Sequence, residues 1–213
     1  MDNLIIYQER EIEPKGAVKG ILPDAEKIKN FLFDDEYARL ELLQTITHFS
    51  HIKASFLYPG CGADILFPLL YIERLFPQLQ EVHCTFVDTQ DNQKLIETVL
   101  DDIGIPFSRT KNKISFYWKE SVVNISFIVE DIFGIVNSLP AFDIYFERAF
   151  RIMKDGHTNY EQTIVQKLNP DGILISDSGF QNTPLKKIDV SKELSVYGEM
   201  VMGKKEKIKK KEI

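Results

Sequence analysis

Apolar positions along this chain change rhythm several times, and each change marks an element. From residue 24 to about residue 49 they recur at helical spacing (Ile28, Phe31, Leu32, Leu40, Leu43, Ile46, Phe49) behind Asp24, a natural N-cap. This predicts a helix with an interruption near Asp34 and Asp35. Residues 1–23 predict an irregular lead-in with one short strand over residues 4–7, broken by Gly16, Gly20 and Pro23. From Ser55 the pattern alternates. Short apolar runs over 55–58, 82–87, 142–146 and 173–175 predict strands, and residues 64–76, 91–103 and 158–168 predict helices. Runs over 114–118 and 122–129, separated by Lys119 to Ser121, predict a hairpin. A polar loop over 177–191 leads to a last strand over 194–201, and Gly203 offers a turn into a Lys-rich tail. Strands alternating with helices imply a largely parallel sheet with right-handed crossovers, the late strand adding an antiparallel edge. The chain divides accordingly into an N-terminal helical extension (1–50), an α/β domain (51–203) and a tail (204–213).

One stretch carries chemistry as well as structure. Phe56, Leu57 and Tyr58 run into Pro59-Gly60-Cys61-Gly62-Ala63-Asp64, and a helix-like segment follows at once. A strand that turns into a helix through glycines leaves the first helical N–H groups unpaired and lets a ligand approach the backbone closely. The next predicted strand, 82–87, ends on Asp88, placed to accept hydrogen bonds from the two hydroxyls of a ribose.

Composition narrows the classes. The 213 residues suffice for one domain, and 44% hydrophobic and 11% aromatic residues provide a core. A net charge of −6 argues against a face devoted to duplex nucleic acid. No basic leader with an apolar core opens the chain, and no apolar run approaches the roughly 20 residues of a membrane span, so a cytoplasmic protein is expected. Cys61 and Cys84, the two cysteines, read as small buried hydrophobes in a reducing compartment. The four scattered histidines have no metal-ligand spacing, so no metal is expected. The cluster Asp34-Asp35-Glu36 reads as a solvated face. The basic run from Lys204 to Lys211 reads as an edge strand or frayed end.

The order of these features resembles the class I S-adenosylmethionine-dependent methyltransferases. The resemblance covers residues 55–201. It rests on the turn at 58–64, Asp88, Val129-Glu130-Asp131-Ile132, Phe142-Asp143-Ile144-Tyr145 and Leu168-Asn169-Pro170-Asp171-Gly172-Ile173-Leu174. It implies a Rossmann-like, mostly parallel sheet with helices on both faces. It also implies S-adenosylmethionine as cofactor and a small-molecule or protein acceptor. By the same resemblance Tyr58, Gly60, Cys61, Gly62 and Asp64 would line the cofactor's amino acid and sugar. Asp88 with Thr89 would take the ribose, Asp131 the adenine amino group, and Ile132 the ring. Glu147 and Arg148 would face the methyl group or the acceptor. Two departures stand out. Tyr58 occupies the place where the family usually carries an acid, and Asp64 the place of a third glycine. They leave a non-catalytic ligand-binding or interaction module on the same fold as the second reading. Nothing resembles the Asn/Asp-Pro-Pro-Tyr/Phe tetrad of enzymes that methylate nucleic-acid amino groups.

Overall fold

The computed structural model describes residues 9–32, 34–181 and 184–207. The short strand expected over residues 4–7 and the tail beyond residue 207 lie outside the described residues.

The N-terminal region is helical but broken. α1 (Ala25–Asn30) is capped by the Asp24 carboxylate, which accepts from the N–H groups of Glu26 and Lys27. α2 (Asp34–Arg39) follows and runs into a 3₁₀ segment, Leu40–Thr45. Ahead of α1, residues 9–23 lie along the core, the N–H groups of Arg10, Gly16 and Ala17 donating to Thr98, Phe107 and Ser108.

The core alternates as expected. Its strands and helices are β1 (Lys53–Pro59), α3 (Leu66–Leu75), β2 (Glu81–Asp88), α4 (Gln93–Asp102), β3 (Phe107–Thr110), β4 (Lys113–Trp118), β5 (Ser121–Val129), α5 (Ile132–Ile135), β6 (Phe142–Glu147), α6 (Arg151–Lys154), α7 (Tyr160–Lys167), β7 (Leu168–Ser176), β8 (Lys186–Ile188) and β9 (Val201–Lys204). They form one nine-stranded sheet in the order β3-β4-β5-β2-β1-β6-β7-β9-β8. The five strands from β5 to β7 are parallel, and antiparallel pairs extend both edges. Strand order and helix placement make this a Rossmann-like α/β fold. β1, central and covered on both faces, is buried along most of its length, as its unbroken apolar run requires. β4 sits near an edge and alternates, burying Ile114, Phe116 and Trp118. α3 is apolar on nearly every side because it packs between the sheet and the N-terminal 3₁₀ segment. No described helix is long and apolar enough to cross a membrane.

Three expectations need correction. β3 and β8 were not expected, because Ser108-Arg109-Thr110 and Lys186-Lys187 hide the strand rhythm in polar edge positions. The last strand is β9, later than 194–201, because 192–194 tightens into a 3₁₀ turn and the Ser195 hydroxyl donates to the Asp177 carbonyl (2.6 Å). Gly203 makes no turn. It lies within β9, where a Cβ would come within 2.9 Å of the Leu185 side chain.

Candidate functional site

The chain leaves β1 toward β2 on one side and returns to β6 on the other. At such a reversal the loops after the strands separate and open a crevice beyond their C-terminal ends. The Gly60–Gly62 turn, Asp88, Asp131 and the segment after β6 all meet there.

The glycine turn is tied to β2. Gly60 N–H donates to the Val87 carbonyl and Gly62 N–H to Asp88 Oδ2, each at 2.8 Å. Asp88 Oδ1 accepts from Gln90 N–H (3.0 Å). A carboxylate offers about four lone-pair sites, so acceptor capacity remains for two hydroxyls. Thr89, next to it, is exposed. Asp131 at the end of β5 is exposed and caps α5 through the Phe133 N–H (3.0 Å), while Ile132 is buried. Cys61 is buried in the turn, and burial pushes its thiol well up, so it is no nucleophile.

The two glycines differ. Both have left-handed backbones, Gly60 at φ +59 and Gly62 at φ +51. A side chain at Gly62 would meet nothing within 4 Å, whereas at Gly60 a Cβ would lie 2.7 Å from the Phe150 ring. Phe150 in turn stacks on Phe133 (centroids 5.8 Å apart), and His157 lies flat on Phe133 at 3.6 Å. Phe150 is delivered by a strained residue, Ala149 at φ +52, a conformation that costs about 1–3 kcal/mol. Hydrogen bonds from Ala149 N–H to Asp177 Oδ1 and from Phe150 N–H to Ser178 Oγ, both 2.8 Å, hold it.

Tyr58, in the place expected to be acidic, is buried and donates its hydroxyl to Asp64 Oδ2 (2.8 Å). Asp64 Oδ1 accepts from Phe67 N–H (3.1 Å) at the start of α3, so this carboxylate caps the helix and also faces the site. Burial raises its pKa against the opposing pull of Arg148 and the Tyr58 hydroxyl. Arg148 gathers carboxylates. It pairs with Glu36 and lies 3.9 Å from Asp64 and 3.8 Å from Asp177, its guanidinium 3.5 Å above the Phe67 ring. Beside it is a small cavity of about 20 Å³ bordered by Phe67, Tyr71, Phe146 and Met200.

Glu147, adjacent in sequence, also borders that cavity, but its carboxylate is engaged in a closed network. Its Oε1 pairs with Lys154 and accepts from the Ser176 hydroxyl (2.6 Å), and its Oε2 accepts from the Tyr145 hydroxyl (2.6 Å). Lys154 also reaches the Gly179 carbonyl and Glu161. Burial raises the Glu147 pKa, with Lys154 opposing it. With both oxygens engaged, Glu147 is a structural anchor for the β6–α6 connection.

Sequence reasoning overlooked Glu36, Phe150 and Asp177. The sequence reads Glu36 as part of a solvated face, yet its side chain is only 12% exposed at Arg148. Asp177 did carry a signal, since it follows β7 as Asp131 follows β5. Phe150 carried none.

No known family model matches the sequence, and no curated protein is similar to it. Solved structures do match. The N-methyltransferase NodS from Bradyrhizobium japonicum is 14% identical, with 86% of this chain and 99% of NodS covered and a TM-score of 0.45. A Listeria monocytogenes protein assigned to the class I S-adenosylmethionine-dependent methyltransferases is 14% identical, covering 89% of this chain and 70% of that one (TM-score 0.46). PKMT2 from Rickettsia typhi, in complex with AdoHcy, is 16% identical over 68% of this chain and 24% of its own (TM-score 0.39). The chain spans half or less of several of the proteins it matches. The strand order, and not these likenesses, defines the fold.

Proposed function

We propose that the protein transfers a methyl group from S-adenosylmethionine to a small-molecule or protein acceptor. The observation that carries this reading is the meeting of the Gly62 N–H with the Asp88 carboxylate at 2.8 Å, at the sheet's reversal point and beside open space. That corner suits a ribose. The Asp88 carboxylate has acceptor sites left for two hydroxyls, and the missing Cβ at Gly62 lets a sugar approach the backbone. Asp131 and Ile132, at the end of β5, suit an adenine, with Thr89 and Cys61 bordering the ribose corner. Asp64, oriented by Tyr58, supplies a carboxylate near the place where the family usually carries one.

The cofactor, when bound, supplies an already activated methyl group, so the protein's task is alignment and exclusion of water. A general base is required only where the acceptor must lose a proton. Of the two catalytic candidates, Arg148 borders the acceptor-side cavity, and Glu147 holds the connection that carries Arg148. That cavity is about 20 Å³, room for a water and not for an acceptor, so in this reading an acceptor enters by displacing contacts of Arg148 with Glu36 and Asp177, against the aromatic wall of Phe67, Tyr71 and Phe146. The acidic net charge favours a small molecule or protein over nucleic acid.

Calorimetric titration with S-adenosylmethionine and S-adenosylhomocysteine tests this. Both are expected to bind, and Asp88→Ala is expected to weaken them by roughly 10- to 100-fold, the worth of hydrogen bonds to a charged group. A wild-type protein that binds neither would leave only the non-catalytic module.

A further inference from the structure

Another cavity, of about 240 Å³ and open to solvent on one side, lies away from the crevice, between the N-terminal lead-in and the turn from α4 into β3. α4 begins just after the Asp88 corner, and the cleft lies at its other end, about 15 Å along a helix of ten residues. Ile12 and Ile21 border it from the lead-in, and Ile105, Pro106 and Phe107 from the turn. The lead-in is pinned across it. Gly16 N–H donates to the Phe107 carbonyl (3.0 Å), Ala17 N–H to Ser108 Oγ (3.0 Å) and Asp24 N–H to the Ile103 carbonyl (2.9 Å). The turn offers water little. The Gly104 and Ile105 N–H groups are spent on the Asp101 and Leu100 carbonyls, and Pro106 has none. A held water needs two to four polar partners, so an apolar occupant is favoured against this lining.

The rim carries charge. Lys15 pairs with Asp101 (3.2 Å) and, beside them, Arg10 pairs with Asp102 (2.5 Å). Glu13 also borders the cleft, is exposed, and makes no ion pair among the described residues. It is the rim charge left uncompensated. We propose that this cleft is a second ligand site, separate from the crevice, for a small protonated amine carried on one apolar ring. An apolar cavity of about 150 Å³ accommodates benzene, so about 240 Å³ takes one ring with a short chain. The ring packs against Ile21, Ile105 and Phe107, and the ammonium meets Glu13 at the rim. An anion of the same shape is repelled by Glu13 and has to compete with Asp101 for Lys15. The site stands independently of the methyl-transfer reading.

An NMR titration of backbone amides with phenethylamine tests it, with phenylacetate as the anionic counterpart. Phenethylamine is expected to move the amides of residues 12–21 and 101–107, with a dissociation constant of roughly 0.1–1 mM. Phenylacetate is expected to bind more weakly. Glu13→Gln should weaken the amine by about two- to fivefold, the worth of an exposed charge pair, and narrow its advantage over phenylacetate. Ile21→Trp, at a position already 38% exposed, should fill the cleft and weaken binding by about tenfold or more. Ile12→Phe replaces it if the tryptophan variant does not give the spectrum of a folded protein. Saturating S-adenosylhomocysteine should leave the phenethylamine titration unchanged. The site is overturned if millimolar phenethylamine moves none of these amides, or if phenylacetate binds as tightly. It is equally overturned if the shifts centre on residues 60–62 and 88 and S-adenosylhomocysteine suppresses them, or if the filled variant binds like the wild type. None of these results bears on whether S-adenosylhomocysteine binds, so the two readings fail separately.

Discussion

Glu147 ends β6 and Arg148 follows it directly, yet their side chains go to different surroundings, Glu147 to Lys154 and Tyr145 and Arg148 to the Phe67 ring. The two surroundings differ in kind. Glu147 is sealed, with a fully buried cation and three hydroxyl-bearing neighbours (Tyr145, Tyr160, Ser176) closing the network. Arg148 keeps 27% of its side chain exposed; it hydrogen-bonds Glu36 directly and lies 3.9 and 3.8 Å from Asp64 and Asp177, distances that leave room for rearrangement. The sealed side fixes the strand end. The open side can exchange partners, and it borders the cavity and the glycine turn. A charge pair with no solvent access and both carboxylate oxygens engaged is a poor place to look for catalysis, and a shared, partly exposed cation is a better one.

The hardest test of the contrast is to break each side. Lys154→Met leaves Glu147 buried without its cation, and the expected loss is about 3–5 kcal/mol in urea-unfolding stability. Replacing both residues, Glu147→Leu with Lys154→Met, is expected to restore much of it, because a buried pair costs nearly as much to desolvate as it returns. The pH dependence carries a definite sign. A carboxyl whose folded pKa is raised contributes its stability below its unfolded pKa and loses it as pH rises through the folded value. In Lys154→Met the cation opposing that rise is gone. The deficit relative to wild type should therefore be largest at neutral pH and shrink as pH falls through the raised Glu147 value. A deficit that stays constant with pH would mean that Glu147 is not the group left exposed to the penalty. Arg148→Ala should cost less, about 1–3 kcal/mol, since water can reach the carboxylates it leaves behind. Its cost should diminish in molar salt, where the cost of Lys154→Met should not. Equal salt dependence in the two variants would erase the distinction between sealed and open sides.

The same contrast explains what was legible in the sequence. The alternation of β1, α3, β2 and α4 and the β4–β5 hairpin follow from local periodicity. So do the glycine turn and Asp88, because a strand, a turn and an acid at the next strand end are all written within about thirty residues. The sealed network is not local. Glu147, Lys154, Ser176 and Tyr160 come from four separate elements, and nothing in the run Phe146-Glu147-Arg148 says which charge turns inward. Glu36 is harder still, since an acidic cluster before a helix ordinarily faces solvent, and its pairing with Arg148 spans 112 residues. Phe150 gave no warning because the space over a glycine is visible only when the β6–α6 connection has been folded across it. β8 was missed, and β9 was expected too early, for a different reason. The polar positions of β8 are dictated by its edge exposure and Gly203 of β9 by the Leu185 side chain, not by a strand rhythm.

The mildest variant, Glu36→Gln, asks whether the open side reaches into the N-terminal extension. Glutamine keeps a carbonyl acceptor for Arg148 but removes the charge, and the pair is partly solvated, so the expected cost is about 1 kcal/mol or less. Stability is therefore the wrong readout. Hydrogen exchange is the right one, because α2 has only six residues and depends on tertiary contacts to persist. Amides of residues 34–39 should exchange faster in the variant, while those of α3 and β6 stay as protected as before. If α3 or β6 loosens as well, Glu36 belongs to the sealed architecture and the open side is smaller than its exposure suggests. If α2 is unaffected, Arg148 is held by Asp64 and Asp177 alone, and the extension closes over the cavity through its apolar contacts at Leu40 and Leu43.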